Sequence, residues 1–331
     1  MRQLIAVAVV LVALLPRTSL AQERPSPASR ADAEVVRVSS DLVVLDALVV
    51  NKKTGQTVGG LKAEDFEIYE DGVRQSVGYF GQDELPLSVL LLLDVSGSVL
   101  PVIKSVSDGA LEAMRQLKPA DEVAVMAFAD EPRLVQTFTR DRQLIAERIK
   151  NASQSDGLGR STMMNRALFE AALHMSRASN PKSRRVIIVV SDNIADAAKG
   201  GDAMMALDEM ADSGTVVYGL IVRAGIGKMM NVMTAGLVHP LNAYAEQTGG
   251  EIIGADKKEV EEKLAVVFAH LRARYNLGYS PTNTREDGRL RRVELKLAPA
   301  ATASAEARKE QLVVRTRQGY YFIKPAPTTK E

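Results

Sequence analysis

The stretch LLLLDVSGSVLP, Leu90 to Pro101, sets four consecutive leucines against an aspartate and then places serine at alternate positions, Ser96 and Ser98. An unbroken apolar run is what a parallel strand covered on both faces requires. The acid and hydroxyls that follow are either a capped turn, since Asp and Ser readily hydrogen-bond their own backbone, or oxygen ligands aimed at one point. The same run-then-stop recurs, with residues 122–128, 184–192, 215–222 and 251–253 apolar nearly throughout. Between these runs, residues 102–117, 142–152, 163–178, 203–213 and 241–248 carry helical patterns. This alternation predicts an α/β fold with a doubly wound, mostly parallel sheet and helices on both faces. RLVQTFT, residues 133–139, reads as a shorter strand at the sheet edge.

Working outward, residues 257–275 form the cleanest amphipathic pattern, with Val260, Leu264, Val267, Phe268 and Leu271 on one face. Beyond it the period returns to two, in YNLGYS, RLRRVELKL and QLVVRTRQGYYFI, and APAATASAEARKE reads as a mobile loop. Ahead of the α/β region lie VVRVSS, LVVLDALVVN, EDFEIYEDG and GVRQSVGYF, each read as a strand, with Thr54-Gly55 and Asp71-Gly72 as turns. Isolated hairpins are not stable alone. The two β segments, 35–84 and 276–324, are therefore expected to pair as one small β-domain. The α/β domain, 85–275, is then an insertion within it, and 325–331 is a tail.

The opening MRQLIAVAVVLVALLPRTSLAQ has a basic n-region at Arg2, an apolar run from Leu4 to Leu15, and small residues at Ser19 and Ala21 before Gln22. It reads as a cleaved signal peptide over 1–21, because the run is too short to span a bilayer comfortably; retention as an anchor is the alternative. Export to the periplasm or beyond follows, with no membrane span after cleavage. Residues 22–34 are Pro/Ser-rich and polar, a disordered linker. Cysteine is absent, which excludes disulfides, thiolate metal sites and a lipidated Cys. Taking Arg2 and Arg17 from 42 basic residues leaves 40 against 41 acidic ones. Such a balance carries no electrostatic footprint for nucleic acid.

In an open parallel sheet, ligands bind outside the carboxyl ends of the strands. Asp94, Ser96 and Ser98 fall there, as does Asp192 at the end of RRVIIVVSD; Thr162 begins the helix leading into that strand. Carboxylates and hydroxyls are hard donors suited to Mg²⁺, with Mn²⁺ and Ca²⁺ as further candidates. Two aspartates balance the divalent charge, and neutral hydroxyls leave the ion electrophilic toward an outside carboxylate.

DVSGS, Thr162 and VVSD together resemble the metal-ion-dependent adhesion site (MIDAS) of von Willebrand factor type A domains, and LNAYAEQTGGEII is similar to their late helix–strand segment. The flanks resemble secreted VWFA-related proteins of the Acidobacteria type. The resemblance implies that Ser96, Ser98 and, depending on state, Thr162 touch the metal directly, with Asp94 and Asp192 often acting through water. It also implies a non-enzymatic role in adhesion or scaffolding, in which a protein partner's Asp or Glu completes the coordination. Two positions depart from the family pattern. Asn193 stands where Gly is usual, and Asn tolerates left-handed backbone. Arg166 stands where many relatives carry an acid, and it could weaken the metal or pair with an incoming carboxylate.

Other readings compete. The metal could only stabilise the fold within an envelope assembly. Ser96 or Ser98 could be a hydrolase nucleophile, but DVSGS is not G-x-S-x-G and His174, His239 and His270 offer no clear partner. Met229, Met230 and Met233 read as gap-filling core, as thioether ligands for Cu(I), or as an adaptable partner-facing surface on the rim that holds Asp94.

Overall fold

The computed structural model describes residues 42–82, 85–99, 102–152, 161–196, 203–223, 237–238, 240–285, 287–301 and 311–321. The signal peptide, the linker, VVRVSS, Met229, Met230, Met233, His239, most of the APAATASAEARKE loop and the tail lie outside the described residues.

In chain order the strands are β1 (Val43–Asn51), β2 (Phe66–Glu70), β3 (Val73–Gln75), β4 (Tyr79–Gly81), β5 (Leu87–Asp94), β6 (Glu122–Phe128), β7 (Pro132–Thr139) and β8 (Arg184–Ser191). They continue as β9 (Ala195–Asp196), β10 (Val216–Arg223), β11 (Leu237–Val238), β12 (Ile252–Asp256), β13 (Tyr275–Tyr279), β14 (Leu290–Leu297), β15 (Leu312–Arg315) and β16 (Gly319–Tyr321). The helices are α1 (Ile103–Ala113), α2 (Arg142–Ala152), α3 (Met164–Met175), α4 (Ala203–Ser213), α5 (Leu241–Thr248) and α6 (Val260–Arg272).

The leucine run is β5, and all eight of its residues are buried. Its period-two alternation sends Val89, Leu91 and Leu93 into one core with Val106 of α1, Ile145 of α2 and Leu264 of α6. Leu90 and Leu92 enter a second core with Ala167 of α3, Ala206 of α4 and Tyr244 of α5. Both faces of the strand are therefore covered, and replacing any one of these leucines by Ala costs about 2–5 kcal/mol. The sheet order is β12-β10-β8-β5-β6-β7. All neighbours are parallel except the edge strand β7, which pairs antiparallel to β6. From β5 the chain winds first toward β6 and later, through β8, to the other side. The crevice at this reversal opens between the carboxyl ends of β5 and β8.

The flanking strands form two antiparallel four-stranded sheets, β15-β1-β13-β4 and β16-β14-β2-β3. Leu45 and Val49 of β1, Ile68 of β2, Leu277 of β13 and Leu295 of β14 share one core between them. Strands before and after the α/β region pair directly: β1 with β13 and β15, and β2 with β14. The β2–β3 hairpin turns on Asp71 and Gly72 at φ 47° and 81°, the left-handed pair that a two-residue turn requires.

Three elements differ from the sequence reading. QLVVRTRQGYYFI divides into β15, which pairs with β1, and β16, which pairs with β14 in the other sheet. GVRQSVGYF is not one strand: it divides into β3, which pairs with β2, and β4, which pairs with β13 in the other sheet. Gln75 anchors the corner, donating to Thr282 Oγ1 at 3.0 Å and accepting from Thr282 N at 3.1 Å. The last helix is also shorter than 257–275, because Tyr275 already belongs to β13. Arg274 ends it by drawing the backbone inward: its guanidinium donates to Tyr218 Oη at 2.8 Å, Asp46 O at 2.8 Å and Gly249 O at 2.9 Å.

Candidate metal centre

β5 ends on Asp94, whose carboxylate is fully buried. The chain turns back on it at once, with Ser96 N donating to Asp94 Oδ1 at 2.9 Å. Val95 N remains in the sheet direction, bonded to Phe128 O at 2.9 Å. The same turn brings the Ser96 and Ser98 hydroxyls within 3.2 Å of one another, with Ser96 buried and Ser98 exposed. From the adjacent strand β8, Ser191 Oγ donates to Asp94 Oδ2 at 2.5 Å and itself accepts from Asn193 N at 3.0 Å. The next residue, half-buried Asp192, accepts from Ile194 N at 3.1 Å, which fixes the loop after β8.

Thr162 comes from the third side. Ser161 N bonds Asp130 Oδ1 at 2.6 Å and Met163 N bonds Ala129 O at 2.9 Å. These two bonds hold the buried Thr162 over the loop that follows β6, the other neighbour of β5. The five oxygen-bearing residues therefore sit at the carboxyl ends of three adjacent strands, around the crevice between β5 and β8.

The electrostatics are one-sided. Burial pushes the Asp94 carboxyl up to about 6; hydrogen bonds from Ser191 and Ser96 oppose this and the charge of Asp192 adds to it. Among the described residues no Lys or Arg pairs with Asp94 or Asp192. Nor do three or more His, Cys, Asp or Glu side chains cluster as a metal site there. Two carboxylates and three hydroxyls are hard oxygen donors, and the buried carboxylate lacks a counter-charge. This donor set fits a divalent cation of the Mg²⁺ type.

Asn193 has φ 58°, so the left-handed backbone expected at this position is present. Its side chain, however, is buried and serves the fold. Oδ1 accepts from Leu241 N at 3.1 Å, capping the first turn of α5, and Nδ2 donates to Asn242 Oδ1 at 3.2 Å. The expectation that Asn193 meets a partner is corrected on this ground. Arg166, on the first turn of α3, is exposed. Ser191 was missed by sequence reasoning. The available signal was its position at the end of the apolar run RRVIIVVSD, immediately before Asp192.

The described histidines have other partners. His174 Nε2 lies 3.2 Å from Thr137 Oγ1 and its ring stacks on Phe138, while His270 Nδ1 lies 2.6 Å from Glu251 Oε2.

Residues 89–195 match the family described as von Willebrand factor type A domain. The chain carries a von Willebrand factor type A domain. Among solved structures, BatB from Bacteroides thetaiotaomicron is 18% identical, with 56% of this chain and 98% of that chain covered and a TM-score of 0.43. A von Willebrand factor type A protein from Catenulispora acidiphila is 13% identical over 78% of this chain and 72% of its own, with a TM-score of 0.45. Proximal thread matrix protein 1 of the mussel byssus, solved with a zinc-occupied MIDAS motif, is 14% identical over 56% of this chain and 48% of its own, with a TM-score of 0.45. No curated protein matches the chain. The matched segment, 89–195, runs from β5 to the loop after β8 and contains Asp94, Ser96, Ser98, Thr162 and Asp192. Among the described residues no helix is long and apolar enough to cross a membrane.

Proposed function

We propose that this chain is an exported, non-enzymatic recognition protein whose type A domain displays a divalent cation, Mg²⁺ first, to a protein partner. The hydroxyls of Ser96, Ser98 and Thr162 would hold the ion directly, and Asp94 and Asp192 would do so through water. The ion supplies an electrophilic position that an Asp or Glu of the partner can occupy. The observation that carries this reading is the Asp94 carboxylate: fully buried, fixed by Ser191 and Ser96, and raised to about 6 with no cationic partner among the described residues. Exposed Arg166 at the start of α3 supplies a second positive group for an acidic partner. Met204 and Met205, 71% and 54% exposed at the start of the neighbouring helix α4, supply adaptable apolar contact on the same rim. In this reading 35–84 and 276–324 are one companion β-domain and 85–275 is the recognition domain.

A structural role for the metal has its own support, because Asp94 and Ser191 join the two central strands β5 and β8. Capture from envelope or culture-supernatant extract, in Mg²⁺ and in EDTA, separates the two. Recognition predicts a partner retained by wild type in Mg²⁺ and lost both in EDTA and with Asp94→Ala, while the variant stays folded. Loss of folding without a metal-dependent partner would assign the site to the structural role.

A further inference from the structure

A groove of about 390 Å³ opens where α4 faces β14, β16 and the start of β1. Gly214, Thr215 and Val216, which lead into β10, line it, so it lies at the amino end of the central sheet, away from Asp94 and Asp192. Its volume is that of a small-molecule pocket. Val44 and Leu290, 43% and 50% exposed, give it apolar walls together with Leu207.

Its charges divide unequally. Asp46 is closed off by two guanidinium groups, Arg184 Nε at 2.9 Å and Arg274 Nε at 2.8 Å. Asp208 Oδ1 accepts from Tyr321 Oη at 2.7 Å, and exposed Asp212 lies close to this pair. The two arginines of the lining are less well served. Arg292 makes no ion pair among the described residues. Arg317 donates from Nη2 to Val44 O at 2.9 Å and lies 5.5 Å from the Tyr320 ring centroid, but its buried Nε has no acceptor among the described residues. Burial lowers its pKa, against the pull of Tyr279, Tyr320 and Asp46.

The strand register orders these groups along the groove. Leu290 stands opposite Tyr321 and Arg292 opposite Gly319. Two residues apart on β14, Leu290 and Arg292 share one face. Gly319 leaves Arg292 uncovered, and a Cβ there would come within 2.6 Å of Arg291 O. The apolar wall therefore leads from the Asp208–Tyr321 end toward the two arginines. A guanidinium with unspent donors is a fork shaped for a carboxylate.

The geometry points to a binding site for a small organic carboxylate with an apolar body, its carboxylate received by Arg292 and Arg317 and its body lying along Leu290 and Val44. Asp208 and Asp212 at the far end disfavour a second negative charge on the same ligand. The site is independent of the metal centre. The test is calorimetric titration of the full chain with octanoate, octanol and inorganic phosphate. Octanoate is expected to bind one to one, at least tenfold more tightly than octanol or phosphate, and to lose at least tenfold in affinity with Arg317→Gln or Arg292→Gln. Leu290→Glu, at an exposed position that leaves the fold intact, is expected to abolish binding. Absence of saturable octanoate binding overturns the assignment. So does phosphate binding as tightly as octanoate, or an affinity unchanged in both arginine variants and in Leu290→Glu.

Discussion

Asp46, on β1 of the flanking antiparallel sheet and paired with Arg184 at the amino end of the central sheet, and Asp94, at that sheet's carboxyl end, are the same residue type in opposite surroundings. At the amino end, Asp46 of β1 meets Arg184 at the start of β8 and Arg274 at the start of the returning β-segment, at 2.9 and 2.8 Å. Arg274 is fully buried; burial alone would lower its pKa, yet Asp46 and Tyr218 hold it above its ordinary value. Arg184 also donates to Leu271 O, at the end of α6. At the carboxyl end, Asp94 is fully buried where Asp46 is half-buried, and among the described residues it receives only hydroxyl and amide hydrogen bonds. The first aspartate is neutralised by its own chain and fastens the β-sheets to the α/β layers. The second is left short of positive charge, and a cation from outside can supply it.

This contrast makes the two ends respond differently to substitution. The largest loss is expected from Arg274→Met, which strands Asp46 and the Tyr218 hydroxyl beside an apolar side chain. Breaking a buried pair of this kind costs about 3–5 kcal/mol, to be read from the midpoint of urea unfolding. A change below about 1 kcal/mol would show that Arg184 alone neutralises Asp46.

At the other end the sign reverses in metal-free protein. A carboxyl raised from 3.8 to about 6 is favoured protonated, so its ionised form works against folding at neutral pH. That contribution to stability is present at low pH and is lost as pH rises from about 4 through about 6. A shift of this size is worth at most about 3 kcal/mol. Asp94→Asn in EDTA is therefore expected to stabilise the protein at pH 8 by about 1–3 kcal/mol, with the gain shrinking toward pH 4. Equal urea midpoints for the two proteins across that range would remove the electrostatic contrast.

The smallest effect is expected in the loop after β8, beside Asp192. Asn193→Ala forces a β-carbon into left-handed backbone at φ 58° and deletes the cap on Leu241 N. Together these cost about 2 kcal/mol. Asn193→Gly keeps the backbone and loses only the side-chain interactions, the cap on Leu241 N and the bond to Asn242 among them, so a smaller loss, of about 1 kcal/mol, is expected. If the two variants lost stability equally, the strain assigned to the loop beside Asp192 would be absent.

Much of the α/β architecture was legible because buried parallel strands such as β5 and β8 are apolar on both faces, and such runs stand out against amphipathic helices. The limits of β6, α2, α4 and α5 coincide with the apolar periodicity for the same reason. The corner between Gln75 and Tyr79 was not legible, since both halves of GVRQSVGYF have strand composition and nothing local marks a change of sheet. The end of α6 at Arg272 was hidden too: Arg274 reads as a solvated charge until Asp46, Tyr218 and Gly249 are placed around it. At the candidate site Asp94, Ser96, Ser98 and Asp192 could be read from strand ends, and Thr162 from the start of the helix that leads into β8. The bond from Ser191 to Asp94 could not, because it depends on β5 and β8 being neighbours. The inward turn of Asn193 depends likewise on where α5 begins.

The most direct measurement is a calorimetric titration of the metal-free chain with Mg²⁺ at pH 7.5, repeated with Asp94→Asn and with Ser96→Ala. One saturable site in the wild type, weakened at least tenfold in each variant while both remain folded, is the predicted result. An unchanged affinity in both variants, or no saturable binding in the wild type, would contradict a metal centre between β5 and β8.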